Sequence, residues 1–97
     1  MSEFRDRAKR YHDAIHSVLL KEWDPIGVAD DEHAQDEYDS YIGPIHGMLI
    51  HHESEQKLFG YLWWVETENM GLFGNRHHTE QIARRLIQVR ENMESNS

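Results

Sequence analysis

The chain has 97 residues, 38% of them hydrophobic and 29% charged, which sets it as one globular domain with a modest core rather than a disordered segment. It has no Cys, and this excludes disulfides, thiol nucleophiles and thiolate metal sites. Its formal net charge of −8 comes from one stretch: between Lys21 and Lys57 stand ten carboxylates and not one Lys or Arg. That balance repels nucleic acid and anionic membrane and favours a cationic partner.

In chain order, the opening Ser2-Glu3-Phe4-Arg5-Asp6-Arg7 is charged throughout, unlike a signal peptide. Ser2 suits an N-cap, and from about Glu3 to Glu22 a 3.6-residue period places Phe4, Ala8, Tyr11, Ile15, Val18 and Leu19 on one helical stripe. Trp23-Asp24-Pro25-Ile26-Gly27 then ends that helix. Proline disfavours helical geometry in the residue before it, and Asp, Pro and Gly at positions one, two and four fit a type I turn. Trp23 reads as a plug at the end of a bundle and Asp24 as a brace for the turn.

A second helical pattern begins near Asp30, with Ala34, Tyr38, Tyr41, Ile42, Ile45 and Leu49 as its apolar face. Pro44 falls inside it, so a kink or break is expected at Ile42-Gly43. The third helix starts after a cap at Ser54, buries Leu58, Tyr61, Leu62 and Val65, and ends near Met70 with Gly71 at the left-handed position. Its run Tyr61-Leu62-Trp63-Trp64-Val65 is the longest apolar stretch and is too short to span a bilayer. Leu72-Phe73-Gly74 is an apolar connector expected to pack back on the core. The fourth helix begins between Asn75 and Thr79 and buries Ile82, Leu86, Val89 and Met93. No segment shows two-residue alternation, so the expected fold is all-α: a compact, roughly antiparallel four-helix bundle over residues 1–93, its second helix kinked or broken near Pro44, with 94–97 as a frayed tail.

The most enzyme-like string is His12-Asp13-Ala14-Ile15-His16, whose two histidines share a helix face and can reach one divalent metal. A catalytic zinc needs a third protein ligand, and no further motif supplies it. No metal site is therefore assigned, with His12 and His16 as the alternative pair. His51-His52-Glu53 and His77-His78 are adjacent pairs, poor chelates within one helix, although loops could bring them to His46 or Glu55. The eight histidines imply sensitivity to mild acid. Ser2, Ser54 and Thr79 read as caps, Glu66 and Glu68 as solvent-facing acids, and no glycine-rich phosphate loop occurs. On a helix, Glu32, Asp36 and Asp39 recur at i, i+4 and i+7 opposite the apolar stripe, with Glu37 on another flank. They read either as an ordinary solvated face or as a docking surface for a basic protein. Trp63 projects almost opposite the core of the third helix and Trp64 to one side. An exposed Trp63 is a candidate interface anchor, unless the second helix or Leu72-Phe73 folds over it.

Glu22-Trp23-Asp24-Pro25-Ile26-Gly27-Val28, then Asp36-Glu37-Tyr38-Asp39-Ser40-Tyr41 and Met70-Gly71-Leu72, resemble a group of small uncharacterised bacterial proteins similar to the YugE-like family of unknown function. The resemblance covers most of the span from Glu22 to Leu86, and the Trp-Asp-Pro turn is its most specific part. It implies an all-helical fold and no established activity, cofactor or catalytic residue.

These readings lead to a cytoplasmic, non-enzymatic protein without a cofactor. It would act as an inhibitor or immunity-type protein that presents Glu32, Asp36, Glu37, Asp39 and Trp63 to a basic partner. The alternatives are a His-based metal-binding protein or small metalloenzyme, and a structural homodimer with Trp63 and Trp64 between protomers.

Overall fold

The first apolar stripe forms α1 (Glu3–Ser17), which runs on without interruption into a π-helical stretch, Val18–Trp23. The computed structural model describes residues 3–95, so the expected cap at Ser2 lies outside the described residues. Tyr11 and Ile15 are buried as the period requires, whereas Ala8 is exposed. The wider π turn changes which positions face inward, and Val18, Leu19, Leu20 and Trp23 are all buried. Asp24 ends the helix in the left-handed region (φ 36°, ψ 58°), its N–H bonded to Leu19 O at 2.9 Å. Gly27 N–H to Asp24 O at 3.1 Å closes the expected turn.

The stretch expected to open the second helix is not α-helical. From Asp30 to Tyr41 it is a chain of tight turns with two short 3₁₀ pieces, Glu32–Ala34 and Asp39–Tyr41. Side chains here compete for the backbone groups that a helix would use. Asp31 accepts from His33 N–H at 2.9 Å, and Gln35 Nε2 donates to both Ala29 O and Asp31 O. Tyr38 supplies the tertiary pull, because it is buried and its hydroxyl donates to Asp24 Oδ1 at 2.8 Å. The pattern therefore breaks near Pro44, as expected, and α2 (Ile42–Ile50) starts only at Ile42. Pro44 sits in the first turn of α2, where the N–H it lacks would have no helical acceptor.

Ser54 Oγ accepts from Lys57 N–H at 3.1 Å and starts α3 (Glu55–Trp64), which also continues as a π-helical stretch, Val65–Asn69. Gly71 takes the left-handed conformation (φ 70°) that the sequence assigned to it. The connector leads to α4 (Arg76–Ser95), whose first turn is held by Asn75 Oδ1 accepting from His78 N–H. α4 reaches two residues into the stretch expected to fray; Asn96 and Ser97 lie outside the described residues.

Four helices and no strand make up the described residues. α4 is the common strut, touching α1, α2 and α3. The end of α1 meets the start of α4 through Trp23 and His78, and the start of α1 meets the end of α4 through Arg7 and Met93 O, so this pair is antiparallel. α3 and α4 are antiparallel too, joined by Glu66 to Thr79 and Glu55 to Arg84. The core is Ile15, Leu19, Ile45, Leu49, Leu58, Leu62, Ala83 and Leu86 with their neighbours, all sealed from solvent. The molecule is a slab, 42 × 32 × 17 Å, about two helices thick.

Candidate functional site

The acidic segment forms a braced outer loop rather than a helix face. Asp24 anchors its near end, with its carboxylate accepting from Val28 N–H (2.7 Å), Ala29 N–H (3.1 Å) and the Tyr38 hydroxyl (2.8 Å). Burial by itself pushes the Asp24 carboxyl up, but these hydrogen bonds outweigh it and hold the group below its ordinary value. Burial likewise raises the Tyr38 phenol well above its ordinary value, so that hydroxyl keeps its proton as a donor. His16 fastens the middle of the loop, its Nε2 lying 2.8 Å from Gln35 O and 3.4 Å from Asp39 Oδ1.

On this frame Glu32, Asp36, Glu37 and Asp39 are all exposed. Helical spacing does not set their positions, since the segment lacks α-helical geometry; the Asp24–Tyr38 and His16–Gln35 clamps hold the segment that carries them. Among the described residues no Lys or Arg forms an ion pair with any of the four. The arginines of α4 go elsewhere: Arg85 to Glu22 at 3.2 Å and Arg84 to Glu55 at 3.5 Å. The loop ends at Tyr41, whose hydroxyl accepts from Asn69 Nδ2 at 2.9 Å. The acidic strip thus borders the end of the third helix.

Trp63 is half-buried, stacked on Phe59 with ring centroids 5.8 Å apart and covered on another side by the connector. A Cβ at Gly74 would lie 2.8 Å from its Cη2 and Cζ3. The connector reaches Trp63 through Gly74 rather than through the expected Leu72-Phe73, for Leu72 is only partly covered and Phe73 is fully exposed. Trp64 is the open indole, 51% exposed and stacked on Tyr61 at 6.4 Å.

The histidines are dispersed. His12 is exposed beside Asp13, His16 is turned to Gln35 and Asp39, and His46 packs on Tyr11 with ring centroids 4.7 Å apart. His52 meets Glu94 at 2.7 Å and His78 meets Trp23 O at 3.3 Å. Among the described residues no group of three or more His, Asp or Glu side chains is placed to hold a metal ion.

Sequence reasoning missed Glu66, which is 5% exposed and not solvent-facing. Its Oε1 accepts from Trp23 Nε1–H at 3.2 Å and from the Thr79 hydroxyl; its Oε2 accepts from Asn75 N–H at 2.9 Å. One carboxylate therefore ties the end of α1, the end of the third helix and the start of α4. Thr79, read as a cap, is fully buried and serves as a donor to it. The signal was present: Glu66 lies four residues after Leu62 and eight after Leu58, on the stripe that points inward.

Against family models, curated proteins and solved structures, the chain matches none. Among the described residues no helix is long and apolar enough to cross a membrane.

Proposed function

We propose that this chain is a non-enzymatic, cytoplasmic protein-binding module of inhibitor or immunity type, which docks its acidic loop on a cationic protein surface. The observation that carries this reading is the set of four exposed carboxylates, Glu32, Asp36, Glu37 and Asp39, with no Lys or Arg paired to them among the described residues. Charge complementarity of that kind speeds encounter and selects partners, and a blocker needs no chemistry of its own. The loop is clamped from both sides, so little ordering remains to be done on binding. We place the chain with the YugE-like proteins on the same footing, on the strength of Glu22–Val28 and its companion segments.

The test is affinity capture of a partner from the native host, followed by calorimetry of wild type and a Glu32→Lys, Asp36→Lys, Asp39→Lys variant at several salt concentrations. The variant should bind at least about tenfold more weakly and lose its salt dependence. Unchanged binding rejects this surface. A second reading, a homodimer, is favoured by the exposed Trp64 and Phe73. A sedimentation mass equal to a single chain at every concentration tested rejects it.

A further inference from the structure

Glu66 is the one charged side chain enclosed by the core among the described residues, and every group that reaches its carboxylate is neutral. Asp24, on the same corner, is also held only by neutral donors: two backbone N–H groups and a phenol. The start of α4 points its positive end at Glu66, but a helix terminus supplies only about half an elementary charge. Two carboxylates outweigh that, and among the described residues neither has a Lys or Arg in ion-pair range. Buried charge is costly without a countercharge, and hydrogen bonds from neutral groups offset only part of the cost.

Beside these carboxylates lies an open cavity of about 370 Å³, walled by Trp23, Asp24, Pro25, Glu66, Leu72 and His78. An indole, a proline and a leucine supply the apolar part of a lining that is about half polar, enough to take a short alkyl group, and an indole also attracts cations. Glu66 Oε1 takes two donors and Oε2 only one, so Oε2 retains a further acceptor position. Anions are disfavoured by the two carboxylates. A dehydrated divalent metal would find too few oxygen ligands among these walls.

We propose that this cavity binds an organic cation, an alkylguanidinium or alkylammonium head group, with Glu66 and Asp24 as its countercharge and Trp23, Pro25 and Leu72 around its carbon chain. The residues differ from those of the acidic strip, so the inference goes beyond the docking reading and does not need it.

The full-length ¹⁵N-labelled protein, titrated with methylguanidinium chloride at constant ionic strength, tests this by NMR. The Trp23 indole N–H and the Asn75 amide, which both donate to Glu66, should shift saturably. Sodium chloride and sodium benzoate should leave them in place. Leu72→Trp fills the cavity without touching either carboxylate and should weaken binding at least about tenfold, as should Glu66→Gln. If Glu66→Gln fails to fold, Leu72→Trp decides. A peptide, acetyl-Gly-Arg-Gly-amide, separates the two sources of the cation. Affinity equal to or above that of methylguanidinium assigns the site to an arginine side chain of a partner, and a much weaker one assigns it to a free small amine. No saturable shift in the folded protein overturns the proposal, as does equal affinity in Leu72→Trp. The Glu32, Asp36, Asp39 charge reversal should leave this titration unchanged, so failure of the docking reading and failure of this one are told apart.

Discussion

Glu66 satisfies three donors at once, and two of them, the Trp23 indole N–H and the Thr79 hydroxyl, are buried away from water. Replacing it with Leu leaves the Trp23 indole N–H and the Thr79 hydroxyl unpaired in the interior and should cost about 2–4 kcal/mol of unfolding free energy, read from urea denaturation. Glu66→Gln keeps an acceptor for Trp23 and Thr79 and should lose less. Asp24 governs a separate pH response. Its folded carboxyl lies below its ordinary value of 3.8, so the unfolded chain takes up the proton first as pH falls. Its contribution is complete above that ordinary value and is lost as pH drops through the lower folded one. Stability measured by denaturation from about pH 5 downward should fall more steeply in wild type than in Asp24→Asn.

At the scale of elements, most of the fold was legible because burial follows period. Ile15, Val18 and Leu19, then Leu58, Leu62 and Val65, then Ile82, Leu86 and Val89 all lie where a 3.6-residue stripe puts them. The π-helical ends were not legible, since the choice of a wider turn is made by what packs beside it; this is how Leu20 and Trp23 also reached the core. The acidic stretch misled for a different reason. Tyr38 has the right spacing for a helix, but its hydroxyl closes a tertiary clamp on Asp24 that short turns accommodate. Pro44 tests this account. In the first turn of α2 it removes no helical hydrogen bond, so Pro44→Ala should change stability by less than about 1 kcal/mol. Inside a helix running from Asp30, the same substitution would stabilise by about 3 kcal/mol. Gly74 is the other sensitive joint. With φ at 82° and Trp63 so close, Gly74→Ala should cost about 1–3 kcal/mol in thermal denaturation and displace the indole, which a change in tryptophan emission would report.

For the whole molecule, thinness and charge act together. A slab 17 Å thick has little interior, and this is why Trp64 and Phe73 remain outside even though the aliphatic core is closed. The candidate docking acids were legible as a charge imbalance, but their arrangement was not, because a loop clamped by distant residues has no sequence period. Glu32, Asp36 and Glu37 repel one another and none is held by a side chain among the described residues, whereas Asp39 lies 3.4 Å from His16. A Glu32→Lys, Asp36→Lys variant, which spares the His16 contact, should therefore unfold in urea at the same concentration as wild type or higher, with the difference shrinking as salt is added. A loss of stability would mean that the strip carries structural weight.

Phe73 stands wholly in solvent between Gly71 and Gly74, at the tip of the only link between the two halves of the Glu66 tie. An aromatic residue on such a tip is the natural first cleavage point for chymotrypsin. The cut would leave Glu66 and Trp23 on one fragment and Asn75 and Thr79 on the other. The pieces would be held by side-chain packing, those hydrogen bonds and the ion pairs of Arg84 with Glu55 and Arg85 with Glu22, which makes this position a ready place to divide the protein into a reporter that reassembles on mixing.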